Sequence, residues 1–208
     1  MAPDADNFKL LGQPRAPWVD TDALKENFLK ISAMAHPDRI HAGTEAEREA
    51  ATTNYAELNS AYNCLRDPKQ RLLHLLELEL GTPPPNSQQI PPRIMNIIME
   101  AGQACREADA IVASKSNVSP LLQAQWFERA MEFTEKLAVL QQQIHSRRDE
   151  LLEELKTMNK AWSEAPPPCS PARVQALPLR RLEEIGRELS YIGRWSGQIH
   201  ERIAQLSF

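Results

Sequence analysis

Apolar residues recur along this chain at three- and four-residue intervals and almost nowhere alternate with period two, so the pattern predicts helices and no sheet. Leu24, Phe28, Ile31 and Ala35 share one face of a helix that Asp20 or Thr21 can cap and Pro37 must end. A second run begins near Thr44 or Glu45 and places Ala51, Tyr55, Leu58, Tyr62 and Leu65 in one stripe. Two such helices joined by a polar connection form an antiparallel hairpin with the connection exposed at its tip. Asp67-Pro68 reads as the N-cap and first position of a third helix, which carries leucines from Leu72 to Leu80 and stops at Gly81. That is more apolar surface than a solvent face carries, so this helix is expected to pack against the second half of the chain. Phe8 to Gly12, ahead of all three, reads as a short helix or turn.

Clustered prolines punctuate the rest. Residues 82–92 read as a stiff Pro-rich linker. A helix is predicted from about Arg93 to Ala113. Asn117 to Pro120 interrupts it, and a long helix follows from Leu121 to about Trp162, with Ala130, Phe133, Leu137, Leu140, Ile144, Leu151, Leu155 and Met158 along one side. Ala165 to Pro171 reads as a loop. The last helix, from about Leu179 to Leu206, keeps its three-four spacing throughout. Three striped helices satisfy one another as a bundle. The expected fold is therefore all-α, with an N-terminal domain over 1–81, the linker over 82–92 and a three-helix bundle over 93–208, as a monomer.

Composition narrows the function. With 208 residues and a net charge of −4, no global electrostatic case exists for nucleic acid or an anionic membrane. No apolar run reaches the roughly 18 residues a membrane span needs. The acidic start Met1-Ala2-Pro3-Asp4-Ala5-Asp6 does not read as a secretory signal. Cys64, Cys105 and Cys169 are odd in number, far apart and without a CxxC, which points to reduced thiols in the cytoplasm and to no metal site. There is no phosphate-binding glycine loop and no nucleophile motif, so neither a catalytic residue nor a cofactor is expected, and the chain does not read as an enzyme.

One short stretch carries chemistry of another kind. His36-Pro37-Asp38 falls between the first two long helices. Asp38 offers a carboxylate on a short side chain, suited to bidentate capture by an arginine. Pro37 restricts the backbone that presents it, which lowers the ordering cost of binding. His36 adds a planar ring that titrates near neutrality.

With Phe8-Lys9-Leu10-Leu11-Gly12 before it, and Leu58-Asn59-Ser60-Ala61-Tyr62 and Leu65-Arg66-Asp67-Pro68 after it, this stretch resembles the J-domain pattern in order and spacing. The leucine-rich extension from Arg71 to Gly81 resembles one subgroup, the HscB-type co-chaperones of iron–sulfur cluster assembly. That resemblance implies docking on a DnaK- or HscA-type ATPase chaperone and stimulation of its ATP hydrolysis. His36, Pro37, Asp38 and Arg39 would meet the chaperone, with Lys25 and Lys30 on the preceding helix. J-domains usually carry several basic residues there; this helix has two lysines and ends in Met34-Ala35, so weaker electrostatic steering is expected.

In the second half, Leu189-Ser190-Tyr191-Ile192-Gly193-Arg194-Trp195 resembles the end of HscB-type chains, and Ile98-Met99-Glu100 resembles the Leu-Met-Glu of their first bundle helix. By that resemblance Ile98, Met99 and Tyr191 are candidates to bind an iron–sulfur scaffold protein. The family's run of glutamates is replaced here by Gly102, Gln103, Ala104, Cys105 and Arg106, with Glu107 the nearest acid. Two other readings stand beside scaffold delivery: a J-domain co-chaperone with a different client, and a J-like helical adaptor without chaperone activity.

Overall fold

The structure, a computed structural model, describes residues 6–35, 44–84, 89–115, 120–168 and 170–207. Helices form every regular element among them. α1 (Asn7–Leu10) is short; α2 (Thr21–Ala35), α3 (Glu45–Arg66) and α4 (Pro68–Leu80) follow. A 3-10 turn at Pro92–Ile94 leads into α5 (Met95–Ala113), and then come α6 (Pro120–Ser163), α7 (Pro171–Ala176) and α8 (Leu179–Ser207). The Pro-rich linker expected to be free of helix therefore ends in a single helical turn. α7 was not expected, and Pro171 occupies its first turn, where the missing N–H costs nothing.

Local chemistry explains the boundaries. Asp20 Oδ1 accepts from the main-chain amides of Asp22 and Ala23 at the start of α2. Thr44 and Glu47 form a capping box at the start of α3: Thr44 N–H donates to Glu47 Oε2 at 2.7 Å, and Glu47 N–H donates to Thr44 Oγ1 at 3.3 Å. The bond from the Thr44 main chain, then that from its hydroxyl, lowers the Glu47 carboxyl pKa. Asp67 caps α4 through Gln70 N–H, with Pro68 behind it. Gly81 ends α4 at φ 73°, a left-handed conformation that costs glycine little.

Packing groups the helices into two compact units. One compact unit joins Met1–Asn86 with Leu152–Gly186; the other joins Ser87–Leu151 with Arg187–Phe208. The reason lies in α4. Leu72, Leu75 and Leu76 are fully buried, and a Cβ added to Gly186 of α8 would sit 4.0 Å from Leu72 Cβ. The start of α8 thus lies against the α4 leucines, and α4 shares its compact unit with the end of α6 and with α7.

In the first unit the hairpin core is Leu24, Leu58, Ala61 and Leu65, with Phe28 stacked on Tyr62 at 4.4 Å between ring centroids. Phe8 and Leu11 of the α1 segment are also fully buried. Three polar clasps tie the pieces together. Arg71 donates to Pro17 O and Leu65 O at 2.9 and 2.6 Å. Burial, against the pull of Asp67, brings its guanidinium pKa down to about 10. Asn159 of α6 holds the main chain of Trp18, donating to its carbonyl at 2.9 Å and accepting from its amide at 3.0 Å. Arg173 of α7 meets Glu79 of α4 through two bonds of 2.6 and 2.8 Å and donates to Pro166 O.

In the second unit α5 packs with the first part of α6 and the last part of α8. Small residues on α5, Ala101, Gly102, Ala104 and Ala108, are buried, as are Leu137, Leu140 and Ile144 of α6 and Ile192 and Ile199 of α8 in the same unit. Trp126 Nε1 donates to Ile111 O at 2.8 Å. Glu188, almost wholly buried on α8, takes two bonds from Arg147 of α6. Burial disfavours the Arg147 charge, but hydrogen bonds to Glu188 and Glu150 outweigh it and raise the guanidinium pKa.

Candidate functional site

Two surfaces correspond to the sequence candidates, one in each unit. On the first, His36, Pro37, Asp38 and Arg39 lie outside the described residues. What the structure does describe is how their flanks are held. α2 runs to Ala35, and α3 is capped from Thr44, so firm helical ends bracket the tripeptide. The Phe28–Tyr62 stack joins the two helices, and the Arg66 guanidinium lies 5.7 Å from the Tyr62 ring centroid.

The outer face of α2 carries both candidate lysines. Lys25 and Lys30 are exposed, and Lys30 Nζ approaches Glu26 at 3.8 Å. An exposed pair of this kind holds its partners weakly, on the order of 0.2–1 kcal/mol. It nonetheless places a carboxylate beside one of two cations. Leu29 and Met34 of the same helix are 54% and 69% exposed, so its exposed surface is apolar as well as basic.

The second surface is an apolar groove in the bundle. Ile94, Ile97, Ile98, Ile144, Tyr191, Ile192 and Trp195 line it, with Arg147 at its edge. The structure brings Ile98 and Tyr191 together here: Ile98 belongs to the core, and Tyr191 is half-buried. Met99, the third candidate, does not line the groove and stands 66% exposed. Trp195 packs closely over Gly102; a Cβ there would meet the indole at 3.2 Å and require the ring to shift. Gly102→Val is expected to displace Trp195 and destabilise the fold by about 1–3 kcal/mol. Thermal melting and the Trp195 indole N–H resonance report both effects, and an unmoved resonance would refute the close packing.

The first acid after the Gly102–Arg106 stretch of α5 is already engaged. Glu107 accepts from Gln103 at 2.9 Å and from Lys136 of α6 at 3.2 Å. The Gln103 bond, then the Lys136 bond, lowers its carboxyl pKa. Cys105 is buried, and burial raises its thiol pKa; Cys169 lies outside the described residues. Sequence reasoning missed Arg71, His74, Asn159 and the Glu79–Arg173 pair. His74 and Glu79 interrupt the leucine run of α4, and that interruption was the available signal for them; Arg71, Asn159 and Arg173 carried none.

No family model matches the chain. The co-chaperone HscB homologue of Bordetella avium is 42% identical over 77 residues, covering 37% of this chain and 45% of that protein. Those of Cupriavidus taiwanensis and Ralstonia nicotianae are 35% and 32% identical over 104 and 105 residues, half of this chain and 59% and 60% of theirs. The chain spans about half the length of the curated relatives it matches. In fold, it is similar to the chaperone HscB of Vibrio cholerae, with a TM-score of 0.59 and 20% identity over 97% of this chain and 99% of that one. The human co-chaperone HscB gives a TM-score of 0.64 and 18% identity over 96% and 82%. No described helix is long and apolar enough to cross a membrane. The chain is thus similar to HscB-type co-chaperones in sequence over at most half of its length, and in fold, an N-terminal J-domain with a C-terminal helical bundle, over nearly all of it.

Proposed function

We propose that this protein is a J-domain co-chaperone of iron–sulfur cluster assembly. It stimulates the ATPase of a DnaK- or HscA-type chaperone and brings a scaffold protein to it. The observation that carries the reading is His36-Pro37-Asp38 between two helices whose facing rings, Phe28 and Tyr62, are stacked. A carboxylate in the segment between these helices suits a guanidinium on the chaperone. Asp38 is the residue that engages; His36 and Pro37 shape its approach; Arg39, Lys25 and Lys30 add attraction for an acidic patch. The chain then acts by shifting another protein's equilibrium, and its own residues make or break no covalent bond.

The bundle would carry the scaffold, with Tyr191 and Met99 as contacts and Ile98 supporting the groove from beneath. A second reading, a co-chaperone with a different client, is favoured by Glu107. The α5 face lacks the family's glutamates, and this acid is spent on Lys136 and Gln103.

The test is direct. Adding the chain to a DnaK- or HscA-type chaperone should raise its steady-state ATPase rate; an unchanged rate with the chaperones of the source cell defeats the docking reading. Calorimetric titration against an iron–sulfur scaffold separates the clients. Binding supports scaffold delivery, and its absence alongside ATPase stimulation supports the different client.

A further inference from the structure

α1 is only four residues long, so its first main-chain amides depend on partners outside the helix. Asp6 Oδ1 accepts from Phe8 and Lys9 N–H. The amide of Asn7 has a different partner: it donates to Nε2 of His74, on α4, at 3.1 Å. A main-chain N–H can only donate, so Nε2 must carry a lone pair. That sets the ring neutral with its proton on Nδ1. The same imidazole lies against the Phe8 ring, with centroids 5.9 Å apart and planes 15° from parallel. Phe8 is fully buried, so His74 holds both the start of α1 and the side chain that anchors it.

We infer that His74 is a proton-operated latch, binding α1 to α4 when its ring is neutral and releasing the start of α1 when Nε2 takes up a proton. Protonation turns the acceptor into a donor that points at another donor, and the bond cannot survive in that form. The surroundings are mixed. From the α1 side Asp6 favours a charged ring and Arg15 opposes it, though these two are themselves paired at 2.9 Å. From α4, Glu77 favours the charge. From α3, the half-buried Cys64 faces the Asn7 side chain, and burial keeps its thiol protonated. Burial prevails, and the His74 pKa lies below the ordinary histidine value.

The sign of the pH effect follows. The unfolded chain takes up this proton more readily than the folded one, so stability rises with pH across the window between the two pKa values. The latch is fully closed above about pH 6.5 and opens as pH falls through the lower, folded value.

Hydrogen exchange on the full chain tests this. The protection factor of the Asn7 amide should fall about tenfold between pH 7.5 and 5, the worth of one such bond. In His74→Gln the side-chain oxygen can accept the same N–H without titrating, and protection should vary less than twofold. A flat wild-type profile, or an equal fall in the Gln variant, would overturn the latch. The wild-type ring gives an independent reading: nitrogen-15 shifts should report the Nδ1–H tautomer at pH 7.5, and the Nε2–H tautomer there would sink the inference without any variant.

Discussion

An Asp38→Asn chain is expected to leave a DnaK- or HscA-type ATPase at its basal rate under conditions in which the wild type stimulates it. The amide matches the carboxylate in size and shape but has no charge, and only one of its two terminal atoms can accept a hydrogen bond. A bidentate pair with a guanidinium therefore loses both its second bond and its charge assistance. Loss of one partner from a desolvated, hydrogen-bonded charge pair costs about 2–5 kcal/mol, tens- to thousands-fold in affinity. The apolar share of the α2 face, through Leu29 and Met34, cannot restore an orientation that the carboxylate sets. The rate should be followed by coupled ATPase assay across a range of co-chaperone concentrations, with a thermal melt to show that the variant remains folded. Equal stimulation by a folded Asp38→Asn chain would remove the basis of the docking mechanism.

The second large effect concerns stability. Glu79→Ala is expected to destabilise the first unit by about 3–5 kcal/mol, because it leaves the Arg173 guanidinium buried without its counter-charge. The side chains are 6% and 2% exposed for Arg173 and Glu79, and the two bonds between them are 2.6 and 2.8 Å. The Glu79 bond is also the main cause of the raised Arg173 pKa, so the pair favours the charged form despite its burial. Pro166 O would remain as an acceptor but supplies no charge. Replacing both residues with leucine should recover most of the loss, since an apolar pair of similar volume leaves no charge to desolvate. Urea unfolding of the two single variants and the double variant completes the cycle. A loss under about 1 kcal/mol for Glu79→Ala would mean that α7 swings away and rehydrates Arg173, and the clasp would then contribute little.

Much of the fold was legible in the chain itself. Asp20, Thr44 and Asp67 cap α2, α3 and α4 as their residue types and positions indicated, and Gly81 ends α4. α7 was hidden because a Pro-rich approach reads as loop, and because six residues are too few to show a periodicity. The candidate site was legible in part. His36-Pro37-Asp38 stands out by composition and position alone. Ile98, Met99 and Tyr191 did not sort themselves, since a residue at helical spacing looks the same whether it faces a core, a groove or solvent. Only packing separated the buried Ile98 from the exposed Met99 one position later.

Helix content and helix ends were decided by the sequence, because capping and periodicity act between residues a few positions apart. Which helices share a core was decided by tertiary structure. α6 and α8 carry continuous stripes, yet each divides its length between two compact units, one of which also covers α4. The partners of Arg71, His74, Asn159 and Arg173 belong to the same category: Asn159 meets Trp18 across 141 positions, and Arg173 meets Glu79 across 94. A buried polar group must find a complement somewhere, but local sequence carries no information about where a distant one will be brought to it.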